Sequence, residues 1–159
     1  MKLMDIVVPG AIIANLKATD RNGVIRELIG ALASAGAIPS DDVETLIKAA
    51  IQRENQASTG IGKGVAMPHV KQENLPRVMA AIGRSAGGVD FSALDRAPVY
   101  AVVLLASPSN NPNGHLQAME TIFKHLLQDN FRRFLRQAET ESAIVDLLQE
   151  ADQSDRTNT

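Results

Sequence analysis

The sequence predicts one α/β domain, a sandwich with helices on both faces of a sheet, and three observations lead there. Pro98 to Ala106 is the most apolar run in the chain and lacks alternation, which suits a strand covered on both faces. Stretches with apolar residues three and four apart, the spacing of amphipathic helices, lie on either side of it in sequence. At 159 residues the chain has the length of a single domain, enough to bury roughly two-thirds of the surface its unfolded form exposes. The domain is expected over 1–150, with a flexible polar tail over 151–159. The pattern alone leaves strand order open, along with parallel against mixed pairing.

In chain order, Ala11 to Leu16 is short, apolar and β-branched, a strand or extended arm. Thr19-Asp20 offers N-cap chemistry for a helix from about Arg21 to Ala35, whose stripe is Val24, Ile25, Leu28, Ile29, Leu32 and Ala33, and Gly36 stands where a C′ residue belongs. Ser40 can cap a second helix, with Val43, Leu46, Ile47, Ala50 and Ile51 on its buried side and its end near Arg53. Lys71 to Pro76 is turn-like, Val78 to Arg84 reads as a strand, and Ser85 to Asp95 reads as a loop with Val89 and Phe91 dipping into the core. Beyond the loop of Ser107 to Gly114, His115 opens a helix carrying Leu116, Met119, Ile122, Phe123 and Leu126. Phe131, Phe134 and Leu135 mark a short helix, and Thr140 caps a last one containing Ile144, Val145, Leu147 and Leu148.

Composition removes whole classes of function. Sixteen basic against eighteen acidic side chains leave no broad positive field for nucleic acid or an anionic membrane. Without cysteine there is no disulfide, thiolate nucleophile or cysteine-ligated zinc. Asp5 interrupts the N-terminal apolar run, and no apolar stretch is long enough to span a bilayer. A soluble protein compatible with a reducing cytosol is expected.

Ser58 to His69 reads Ser-Thr-Gly-Ile-Gly-Lys-Gly-Val-Ala-Met-Pro-His. Its alternating glycines suit either a tight helix-to-strand connection or a loop whose amides cradle an anion. The P-loop pattern fails, because Gly64 rather than Ser or Thr follows Lys63, and the dinucleotide pattern fails at Val65. Gly83-Arg84-Ser85-Ala86-Gly87 formally matches a serine nucleophile elbow, a remote hydrolase option because Gly88-Val89-Asp90-Phe91 starts no helix. His69, His115 and His125 are too widely spaced to suggest a metal site, and His125 is expected on the exposed side of its helix.

There remains a neutral imidazole with a pKa near 6.5 as nucleophile toward a phosphoryl group. His69 would be that nucleophile, with Arg53, His115 and the glycine-stretch amides as donors to the phosphoryl oxygens. Arginine fits because its planar fork holds two oxygens at once. Taken singly, Arg53 fits a solvated helix-end cation better, and His115 a helix N-terminal residue near loop polar groups.

Gln52-Arg53-Glu54, the Ser58–His69 stretch, Ala81-Ile82-Gly83-Arg84-Ser85 and Val89-Asp90-Phe91-x-Ala93-Leu94-Asp95-x-x-Pro98-Val99 together resemble the enzyme IIA domains of the fructose/mannitol type. These belong to the bacterial phosphotransferase system and include nitrogen-related regulatory IIA proteins. The resemblance runs over about 3–150. It implies a mixed sheet flanked by helices and a cytoplasmic phosphocarrier, without cofactor, whose His69 accepts a phosphoryl group from the histidine-containing phosphocarrier protein. The group would pass to a IIB partner, on a cysteine in sugar systems, or its presence would control a regulated target protein. Arg53 falls at the family's phosphate-binding arginine and His115 at its second active-site histidine, while Ser58, Thr59, Gly60 and Gly62 are the candidate phosphate-binding residues. A non-catalytic binding module on the same fold is the alternative. Two departures are Met67, where the family more often has Ile, and Pro112-Asn113-Gly114 ahead of His115.

Overall fold

A computed structural model describes residues 1–157. The chain runs α1 (Leu3–Ile6), β1 (Val7–Ile13), α2 (Arg21–Ser34), a 3-10 turn (Ser40–Asp42) and α3 (Val43–Gln56). It continues with β2 (Gly60–Gly62), β3 (Val65–Ala66), β4 (His69–Gln72), β5 (Met79–Val89), β6 (Val99–Pro108), α4 (Pro112–Leu126), α5 (Asp129–Gln137) and α6 (Glu141–Thr157). The expected sandwich is present, and its six-stranded sheet is mixed. β1 is parallel to β5, β5 antiparallel to β6, and β6 carries both β3 and β4 in parallel on its other side.

β6 explains the missing alternation. Val99, Val102, Leu104 and Ala106 face a core built with α2 and α3. Ala101, Val103 and Leu105 face a second core built with α1, α4, α5 and α6. Each face is dry, so neither set of alternate positions has reason to be polar.

Helix ends account for some departures from the sequence reading. α2 ends as expected, in a Schellman motif: Gly36 N–H donates to Ala33 O (3.0 Å) and Ala37 N–H to Leu32 O (2.9 Å). Ser40 makes no side-chain cap; it opens the 3-10 turn, and α3 runs past Arg53 to Gln56. α4 starts at Pro112, three residues before His115, because Asn111 accepts from Gly114 N–H (3.0 Å) and proline suits the first helical position. Thr140 does cap α6, its Oγ1 accepting from Ala143 N–H (3.1 Å).

Three further expectations are corrected. The first strand lies earlier, at Val7–Ile13. Ser85 to Val89 is not loop but the continuation of β5, so Gly83–Gly87 lies inside a strand and Ser85 is on no strand-to-helix elbow; its Oγ accepts from Gly88 N–H (3.0 Å). The tail expected from Ala151 is helical to Thr157, because buried Asp152 accepts from Leu3 N–H (2.7 Å) and Met4 N–H (3.0 Å) and ties α6 to the first turn of α1. Residues 158–159 lie outside the described residues.

Candidate functional site

The glycine stretch folds first into a β-hairpin. β2 pairs antiparallel with β3 around Lys63-Gly64, whose φ values of 60° and 82° have the sign that a two-residue type I′ turn needs at both positions. Gly60 has a separate reason to lack a side chain, since a Cβ there would stand 2.8 Å from the Ala93 Cβ. The polar groups of the stretch are spent internally. Ser58 Oγ donates to Phe91 O (2.5 Å) and accepts from Gly60 N–H (3.0 Å), and buried Glu54 accepts from both Thr59 N–H and Thr59 Oγ1 (2.6 Å each). Ser58, Thr59, Gly60 and Gly62 therefore frame the hairpin and are not among the residues lining the cleft described next.

Met67-Pro68 leads out of β3, with Pro68 O accepting from Leu105 N–H (2.9 Å), and delivers His69 as the first residue of β4. A cleft of about 510 Å³ opens there between α3 and α4, lined by Gln52, Arg53 and Gln56 of α3, His69 and Lys71 of β4, and His115, Leu116 and Met119 of α4. Three of the residues singled out from sequence thus meet, from three elements. The His69 and His115 ring centroids are 5.8 Å apart. Arg53 is held across the end of α3 by an Nη1 donation to Ala57 O (3.0 Å).

The nitrogens of His69 are not equivalent. Nδ1 lies 2.9 Å from Met67 O, and a carbonyl only accepts, so Nδ1 carries the proton and Nε2 keeps its lone pair. Burial pushes the His69 pKa below its usual value; the Met67 bond opposes that, the Arg53 and Lys71 charges reinforce it, and Glu54 opposes it. His115 is nearly inaccessible and its pKa falls to about 4, first from burial and then from the Lys71 and His69 charges. Both rings are neutral at pH 7.

Three residues escaped the sequence reading. Lys71 shares the His69 face of β4, a relation that period-two spacing gives once β4 is known. Fully buried Ser107 places Oγ 2.7 Å from His115 Nδ1. Glu54, a carboxylate on an otherwise apolar buried stripe, anchors the hairpin. His125, expected exposed, is instead 2 % exposed and stacks at a tilt near Phe131, with centroids 5.5 Å apart. Among the described residues no group of three His, Asp or Glu could hold a metal ion, and no helix is long and apolar enough to cross a membrane.

Comparison with known proteins shows the family and the fold. The family model for the EIIA 2 domain of the phosphoenolpyruvate-dependent sugar phosphotransferase system matches residues 6–151. The chain belongs to that family. It is 34 % identical over 152 residues to the fructose-specific EIIABC component of Bacillus subtilis, covering 96 % of this chain but only 24 % of that protein. It is 30 % identical over 148 residues to a nitrogen regulatory protein of Bradyrhizobium diazoefficiens, covering 93 % and 95 % of the two chains. Among solved structures, the nitrogen regulatory protein IIA-Ntr of Neisseria meningitidis superposes with a TM-score of 0.80 at 24 % identity, over 91 % of this chain and 97 % of that one. The IIA–phosphorylated IIB mannitol complex of Escherichia coli contains the same fold, with a TM-score of 0.72 at 18 % identity over 89 % and 95 %. The EIIA domain fold with its mixed sheet is thus the fold of this chain.

Proposed function

We propose that this protein is a phosphocarrier whose His69 takes a phosphoryl group on Nε2 from a phosphohistidine of the histidine-containing phosphocarrier protein. The observation that carries this reading is the Nδ1–Met67 O contact, which leaves a neutral Nε2 lone pair in a cleft shared with Arg53 and His115. The Nε2 lone pair forms the new N–P bond as the donor's N–P bond breaks, and that bonding pair returns to the donor imidazole. No proton leaves His69. Its Nδ1–H stays on Met67 O and stabilises the positive charge the ring acquires.

Arg53 and Lys71 supply positive charge for the transferring oxygens. His115, neutral, has one N–H to give; we assign the Ser107 hydroxyl, 2.7 Å away, as the donor to its Nδ1, which puts that N–H on Nε2. Because donor and acceptor are both phosphohistidines, the step is close to balanced in free energy and reversible. The phosphoryl group then goes to a IIB partner or changes the charge of an interface with a regulated target, the two fates that the fructose-specific and nitrogen regulatory relatives suggest. The cytoplasm is where we place this chemistry.

The test is incubation with phosphoenolpyruvate, enzyme I and the phosphocarrier protein, followed by intact mass measurement at alkaline pH. One acid-labile phosphate mapping to His69, absent in His69→Ala, is expected. No addition while a control IIA is labelled in the same tube would leave the binding-module reading in its place.

A further inference from the structure

A second cavity, of about 620 Å³, shares no lining residue with the His69 cleft. Lys63 of the hairpin turn, Arg84 of β5 and Arg132, Arg133 and Arg136 of α5 converge on it. Asp129 and Glu139 are the only carboxylates in its lining, so five cations leave three positive charges uncompensated in a chain whose formal net charge is -2.

The most informative member is Arg84, which is only 8 % exposed. Its Nε donates to Arg136 O (2.6 Å) and its Nη1 to Ala14 O (3.2 Å) and Asn15 Oδ1 (3.5 Å). Those neutral acceptors fix the guanidinium without cancelling its charge, and burial without a counter-ion is costly. Arg136 lies flat on Tyr100, 3.5 Å from the ring centroid, and Arg133 sits over Phe134 while donating to Asn130 Oδ1 (3.0 Å). Only Arg132 is neutralised, by Asp129. Among the described residues no ion pair engages Arg84, Arg133 or Arg136.

We propose that this cavity binds a small ligand carrying more than one phosphate group. Every lining residue is polar or charged, so an apolar ligand gains nothing there, whereas guanidinium forks match phosphate oxygens two at a time. Three uncompensated charges fit a di- or triphosphate better than a single carboxylate. The volume is that of a small-molecule site. Because Arg84 and Arg136 are already immobilised, ordering them costs the ligand little.

The experiment follows arginine Nε–H signals of the ¹⁵N-labelled full chain during titration with inorganic pyrophosphate at constant ionic strength. Saturable shifts at Arg84 and Arg136, undisturbed in His69→Ala, are expected, with binding read at Arg84 weakened about tenfold or more in Arg133→Gln/Arg136→Gln. Arg133→Gln alone, at the surface, keeps the test decisive if loss of the Tyr100 stack disturbs folding. Linear shifts reproduced by chloride would overturn the proposal, as would saturable shifts confined to Arg53. A hexaglutamate peptide saturating the same signals more tightly than pyrophosphate would also overturn it and assign the surface to an acidic protein partner.

Discussion

The hairpin of residues 58–66 and the cleft that begins at His69 are neighbours in sequence, yet they use their polar groups in opposite ways. In the hairpin, Ser58, Thr59 and Glu54 satisfy one another and the nearby backbone. In the cleft, His69, Arg53 and His115 line one open space from three elements. On the proposed function, glycine-rich sequence before this histidine thus signals its placement more than contact with the phosphoryl group. If so, changes in the hairpin strike stability and changes in the cleft strike rate.

Glu54→Ala should give the largest stability loss, about 3 kcal/mol in urea unfolding, because two buried donors of Thr59 lose their acceptor. Arg53→Ala should slow phosphoryl transfer by about 10²-fold, as expected for one lost preorganised donor, with an unchanged unfolding midpoint. Ser107→Ala should slow transfer by about tenfold, the low end for removing a group that orients a histidine ligand. In ¹⁵N spectra its His115 should mix tautomers, an effect that packing loss alone does not produce. Gly64→Ala should cost about 1 kcal/mol from the positive φ and leave the transfer rate intact. A hairpin substitution that cut the rate without destabilising the fold would break the contrast.

Acid sharpens it further. The folded-state pKa of His115, about 4, and that of His69 both lie below the usual histidine value. The folded protein therefore binds fewer protons than the unfolded chain below about pH 6.5, and stability is full above that pH and falls as pH drops toward about 4. His115→Gln should flatten that decline when unfolding is followed across the same range.

Local patterns carried the helices of residues 21–34 and 43–56 and the doubly buried strand at 99–108, because their apolar spacing is set by packing against a sheet. Residues 85–89 escaped because glycines and serine mimic a loop where β5 bulges against β6 between Arg84 and Val89. Asp152 and His125 escaped because their burial depends on partners such as Leu3 and Phe131 that no local window contains. Arg53, His69 and His115 were named from motif and resemblance, and the fold brings them into one cleft. Ser107 was invisible, since its contact with His115 depends on where β6 ends relative to α4.

The central claim is that Nδ1 of His69 is held by Met67 O so that Nε2 does the chemistry. Long-range ¹H–¹⁵N spectra of selectively ¹⁵N-histidine-labelled protein, recorded before and after phosphorylation through enzyme I and the phosphocarrier protein, test it most directly. The account predicts a neutral His69 ring protonated at Nδ1, then ³¹P coupling at Nε2. Phosphate on Nδ1, or on a residue other than His69, would contradict it.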